Sequence, residues 1–244
     1  MLAISASQMS ALESAVFGRF QRGLIPHVRE HFPHHADYLG DRGILRVIEQ
    51  ACKRAEALGF ETERDLCLFT DLSIIFGAGF DSDSQLPWAK AGLNDALLVE
   101  AKRIDVLWDS AMAYLESVLG SEHIFPVRPF FLDRDQRCMV GLNTRREMAK
   151  ILDHFYIVWP QKAECVGTPA LNVLIKNSQQ LACHFQLPEV EGGFELALHA
   201  FLFGHRFYVD PLYPWANDIL GFATVQVAKD RIQRLVSAFD VHFS

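Results

Sequence analysis

One pattern of eighteen residues occurs twice in this chain, 127 residues apart and without a gap. Phe76 to Leu93 and Phe203 to Leu220 both read F-G-x-x-F-x-x-D-x-x-x-P-W-A-x-x-x-L. Sliding the chain on itself by the same offset extends the match. His27 falls on His154, Pro33 on Pro160, Gly40 on Gly167, Ile48 on Ile175, Ala55 on Ala182, and Ala101-Lys102 on Ala228-Lys229. Apolar character is kept at Phe32/Trp159, Leu39/Val166, Leu58/Phe185 and Phe60/Leu187. A spacing of 127 residues is too long for a solenoid, whose repeats run about 20–50 residues. The pattern predicts a tandem duplication of one unit, with the copies related by a pseudo-two-fold axis.

The unit reads as helical. Leu12, Val16, Phe20, Leu24 and Val28 recur at helical spacing, behind a capping-box signal at Ser10 to Glu13. Pro26 is expected to kink that helix, and Phe32-Pro33 to end it. A polar loop then leads to Gly40. A second helix is expected over about 42–58 and a third from Thr62 to Gly77, with acidic residues at its positive end. A fourth starts at Pro87, where a missing N–H costs nothing, and runs to about Leu119 with a break possible near Gly92. The second copy repeats this: a capping box at Thr144 to Glu147, then helices at about 144–158, 169–185, 191–203, and from Pro214 towards Phe243.

The fold class expected is therefore all-α, two units of roughly four helices. Their bounds are 1–119 and 144–244, packed into one globule, with a non-repeated linker over 120–143. The linker reads equally as a small hairpin and as an extended segment with one helical turn.

Composition narrows the function. Half of the 244 residues are hydrophobic, ample for a core, and the net charge is −7. That balance argues against a nucleic-acid surface, which needs clustered Lys and Arg. No apolar run approaches the ~20 residues of a membrane span. Met1 to Ala6 lacks the basic start and apolar core of a signal peptide, and the five cysteines form no C-x-x-C pair. Reduced thiols in a cytoplasmic protein are the plainest reading.

Candidate chemistry is sparse. Asp83 and Asp210 are retained in both copies, four residues before the Pro-Trp pair. Two such carboxylates could bind a metal or run acid–base chemistry. The stronger reading is structural, with each carboxylate capping a helix or pinning its loop through backbone N–H groups. His27 and His31 could pair on a metal, but no Glu sits between them as in H-E-x-x-H, and His31 becomes Val158 in the second copy. They read as surface or loop histidines. No G-x-S-x-G elbow or phosphate loop is present. Trp88 and Trp215 read as core anchors, with partner contacts as the alternative. Phe130-Phe131 in the linker could line a partner groove.

His27 to Pro33, Leu39 to Asp41, Glu63 to Phe69 and Gly77 to Ala89 together resemble the motifs of helical accessory proteins encoded beside effectors of bacterial type VI secretion systems. The resemblance covers roughly 15–105. It implies an effector chaperone, a loading adaptor or an immunity protein, and it carries over no catalytic residue.

The reading expected is a non-enzymatic protein that binds another polypeptide, with no cofactor or metal. Its partner-binding candidates are Phe130, Phe131, Trp88, Trp215, Asp83 and Asp210. The alternatives are a metal-dependent or acid–base hydrolase using Asp83 and Asp210 between the copies, and a structural protein that self-associates.

Overall fold

A computed structural model describes residues 5–94, 100–121, 144–221 and 228–243. Among them all regular structure is helical, and no strand occurs. The first half contains α1 (Ala6–His31), α2 (Pro33–Ala57), α3 (Glu63–Phe76), α4 (Pro87–Asn94) and α5 (Glu100–Leu119). The second contains α6 (Thr144–Val158), α7 (Pro160–Val166), α8 (Thr168–His184), α9 (Glu189–Phe203), α10 (Pro214–Leu220) and α11 (Ala228–Phe243). A 3-10 turn follows α3 at Phe80–Ser82, and another follows α9 at Phe207–Val209. The helix starts at Pro33, Pro87 and the ends at His31, Phe76 reappear 127 residues later at Pro160, Pro214, Val158 and Phe203.

Local chemistry explains the ends. Thr62 accepts a hydrogen bond from the Asp65 N–H and opens α3. Gly77 and Gly204 stop α3 and α9 at φ 91° and 93°, a left-handed region open to glycine without strain. Gly40, at φ 61°, divides α2 where Gly167, at φ 77°, separates α7 from α8.

Several expectations are corrected. The N-terminal capping box is Ser5 with Gln8, and α1 begins before Ser10. Residues 33–39 are helical rather than a loop, because Pro33 and Pro160 occupy the first helical turn and start new helices at the points where they end α1 and α6. The helix α1 runs on through Pro26 to His31. Only the C-terminal part of its apolar stripe is buried: Leu24 and Val28 are 7% and 2% exposed, whereas Leu12 and Val16 stand 55% and 54% exposed. The helix expected from Pro87, with its break near Gly92, is described as α4 and α5, and the one from Pro214 as α10 and α11. The proposed hairpin over 120–143, with Phe130 and Phe131, lies outside the described residues apart from its first two positions.

Each half has its own apolar core. Ile44, Ile48, Phe69, Phe80 and Leu107 centre the first, and Phe155, Leu171, Phe194, Phe201 and Phe207 the second. Leu212 belongs to the first core although it follows α9, and Trp159 and Tyr213 lie against both.

Candidate functional site

The repeated stretch forms the seam between the halves. Each Asp holds its own loop with one carboxylate oxygen and the opposite loop with the other. Asp83 Oδ1 accepts from the Gln85 N–H at 2.9 Å, and its Oδ2 accepts from the His205 N–H at 2.9 Å. Asp210 Oδ1 accepts from the Leu212 N–H at 2.9 Å, and its Oδ2 accepts from the Ala78 N–H at 2.6 Å. Both carboxylates are 3% exposed. The glycines permit this approach. A Cβ on Gly77 would stand 2.9 Å from the Phe203 carbonyl oxygen, and one on Gly204 3.0 Å from that of Phe76.

The exchange is not symmetric in charge. His205 Nδ1 stands 3.3 Å from Asp83 Oδ2, in ion-pair range. Gln85 Nε2 donates to the same oxygen at 3.2 Å and to the Ala200 carbonyl at 2.8 Å. Burial pushes the Asp83 carboxyl up, but His205 and the two backbone donors outweigh it, and Asp83 titrates below its ordinary value. Asp210 has Ala78 where Asp83 has His205. Burial dominates there and lifts its pKa to about 6.

Beside the seam lies a cavity of about 70 Å³, lined by Asp83, Gln85, Tyr114, Lys162, Tyr213 and Phe203, among others. Lys162 is buried, donates to the Phe201 carbonyl, and lies 5.0 Å from the ring centres of Trp159 and Phe201. Burial lowers its pKa to about 8 against the pull of Asp83. Gln85 Oε1 and the Tyr114 hydroxyl are buried there without a protein partner. The rest of the lining is largely apolar, with Ile75, Leu86, Leu115 and Val118 among it.

Trp88 and Trp215 are half-buried rather than fully interior. Trp88 meets Phe76 and Tyr114 at ring-centre distances of 5.3 and 6.1 Å, and Trp215 meets Phe203 and His199 at 5.7 and 5.8 Å. Each closes the aromatic cluster beneath the repeated loop of its own half.

Two features escape the linear reading. The exposed start of α1 forms one wall of a groove lined by Leu12, Val16, Phe17, Phe20 and Leu66 together with Glu56, Glu61 and Glu63. The exposed Leu12 and Val16 look like core residues in a helical stripe, and only the neighbouring helices show that no described residue covers them. His27, read as a surface or loop histidine, sits half-buried on α1 with Nε2 2.8 Å from Asp71 Oδ1 on α3. Its i, i+4 spacing to His31 was a legible signal; the matching Cys67–Asp71 spacing on α3 was the signal missed.

No protein-family model, curated protein or solved structure matches this chain.

Proposed function

We propose that this protein acts by gripping another polypeptide, the accessory role of chaperone, adaptor or immunity protein that its resemblance implies. The observation that carries this reading is the groove beside α1. Leu12 and Val16 are more than half exposed, Phe17 and Phe20 extend the apolar wall, and Glu56, Glu61 and Glu63 line the same groove. Contiguous apolar surface of this kind marks an interaction site, and an amphipathic helix with basic flanks complements it in both shape and charge. The acidic lining would hasten association of such a partner.

The hydrolase reading on Asp83 and Asp210 has less support. All four of their carboxylate oxygens are already held by backbone amides.

We also infer that the two halves derive from one duplicated unit and form one globule about a pseudo-two-fold axis. The support is reciprocal. The N–H of position 78 reaches Asp210, and the N–H of position 205 reaches Asp83, positions that differ by 127.

The test compares the wild-type chain with Leu12→Glu/Val16→Glu and with Glu61→Lys/Glu63→Lys, all at exposed positions. A polypeptide captured from the native host is purified and its affinity measured against all three. The expected result is binding at least about ten-fold weaker for both variants, with an on-rate that falls as salt rises. Unchanged affinity in both variants would refute the groove. Turnover of a substrate that Asp83→Asn abolishes at unchanged stability would favour the hydrolase instead.

A further inference from the structure

The helix α1 places His27 and His31 four residues apart on one face, with ring centres 4.5 Å apart. The helix α3 does the same with Cys67 and Asp71, and the two pairs face one another. His27 Nε2 lies 2.8 and 3.1 Å from the two Asp71 oxygens. One donor atom each from His27, Cys67 and Asp71 lies within 4.8 Å of the others. Asp71 is 9% exposed at its side chain and His27 28%, so the cluster is sheltered yet has an open side.

From this geometry we propose that His27, Cys67 and Asp71 form a binding site for a divalent transition metal of the zinc class, with water, or His31 after a rotamer change, in the fourth position. Thiolate, imidazole and carboxylate are the donor types that zinc takes, at about 2.0–2.3 Å. Around such an ion the donors stand about 3.5 Å apart, so small side-chain rotations close the present spacing. Metal binding replaces the direct His27–Asp71 contact and removes the thiol proton to solvent.

The second half supplies an internal comparison. The positions equivalent to Cys67, Asp71 and His31 are Phe194, Leu198 and Val158, and His154 packs edge-on against Phe194 at 4.9 Å. Three of the four places in the same helix pairing are thus taken by apolar side chains and only the imidazole of His154 is kept, so packing alone does not call for a thiol, a carboxylate and a second imidazole. This inference stands apart from the groove: a chain that binds no partner there can still bind metal.

Full-length protein is stripped with chelator and titrated with Co²⁺, then with Zn²⁺ against a chromophoric competitor. The expected result is one equivalent bound, with thiolate-to-cobalt charge-transfer absorption. Cys67→Ser should abolish that band. Cys67→Ser, Asp71→Asn and His27→Gln should each weaken Zn²⁺ binding at least about 100-fold, more than loss of an outer-shell partner does. Cys165→Ser and Cys183→Ser, at exposed thiols, should leave both readouts unchanged. A readout that needs no variant is alkylation of Cys67 mapped by mass spectrometry, which one equivalent of Zn²⁺ should slow at least ten-fold. Absence of the band, wild-type affinity in Cys67→Ser, or unprotected Cys67 would each overturn the site and leave an ordinary His27–Asp71 hydrogen bond.

Discussion

Ala78 and His205 occupy the same place in the two repeated loops, and the difference between them separates two otherwise alike carboxylates. Asp83, beside His205, has its pKa lowered in the fold, so its contribution to stability is present above its unfolded value of 3.8 and lost as pH falls. Asp210, beside Ala78, has its pKa raised to about 6, so its contribution is fully present below 3.8 and lost as pH rises through about 6. Urea midpoints measured from pH 3 to pH 8 should therefore respond in opposite senses. Asp83→Asn should cost most near neutrality and least in acid, whereas Asp210→Asn should cost most in acid and least at pH 7 and above. Parallel profiles for the two variants would refute the assignment. His205→Ala should raise the Asp83 carboxyl, and an NMR titration of its side-chain carbon reads that directly.

Among the elements, the turn that ends α3 and α9 is the most demanding. Gly77 and Gly204 combine φ 91° and 93° with a carbonyl from the opposite half about one Cβ contact away. Gly77→Ala and Gly204→Ala should each destabilise by about 1–3 kcal/mol or more, read as a shift in urea midpoint, because strain and a backbone clash coincide. The double variant should depart from additivity, since both glycines belong to one seam. These glycines were legible in the sequence, as were the start of α3 and the ends of α1 and α9, because caps and stops are local chemistry. The helix α7 and the first turns of α2 were not: a proline after an aromatic residue reads as a stop, and the same proline also starts the next helix. Leu12 and Val16 misled for a different reason. Periodicity says which face of a helix is apolar, and only tertiary placement says whether anything covers it. The cross-seam role of Asp83 and Asp210 was half visible. Their bonds to Gln85 and Leu212 are two residues away, whereas those to His205 and Ala78 span more than a hundred.

At the scale of the whole molecule the question is whether two cores unfold as one. Their coupling rests on specific ties: the two carboxylates of the seam, the Trp159 Nε1–H to the Val118 carbonyl at 2.9 Å, and the Gln85 amide to the Ala200 carbonyl at 2.8 Å. Leu212 sits in the first core while its chain neighbours cover the second. Separating the halves would bare these groups together with Leu212, Trp159 and Tyr213, so a half that melts alone forfeits about 0.5–1.5 kcal/mol net for each tie and the apolar burial at the seam as well. Cooperative unfolding follows. Phe69 and Phe201 are each 0% exposed, one in each core, and Phe→Ala at either should cost about 3–5 kcal/mol. Each variant should lower the midpoint of a single transition seen identically by far-UV circular dichroism and tryptophan fluorescence. Two transitions, with each variant moving only one, would refute the coupling. Asp83→Ala/Asp210→Ala supplies the converse: with the seam cut, the transition should broaden and its denaturant slope fall while both cores keep their helices, because each half then loses much of its reason to wait for the other.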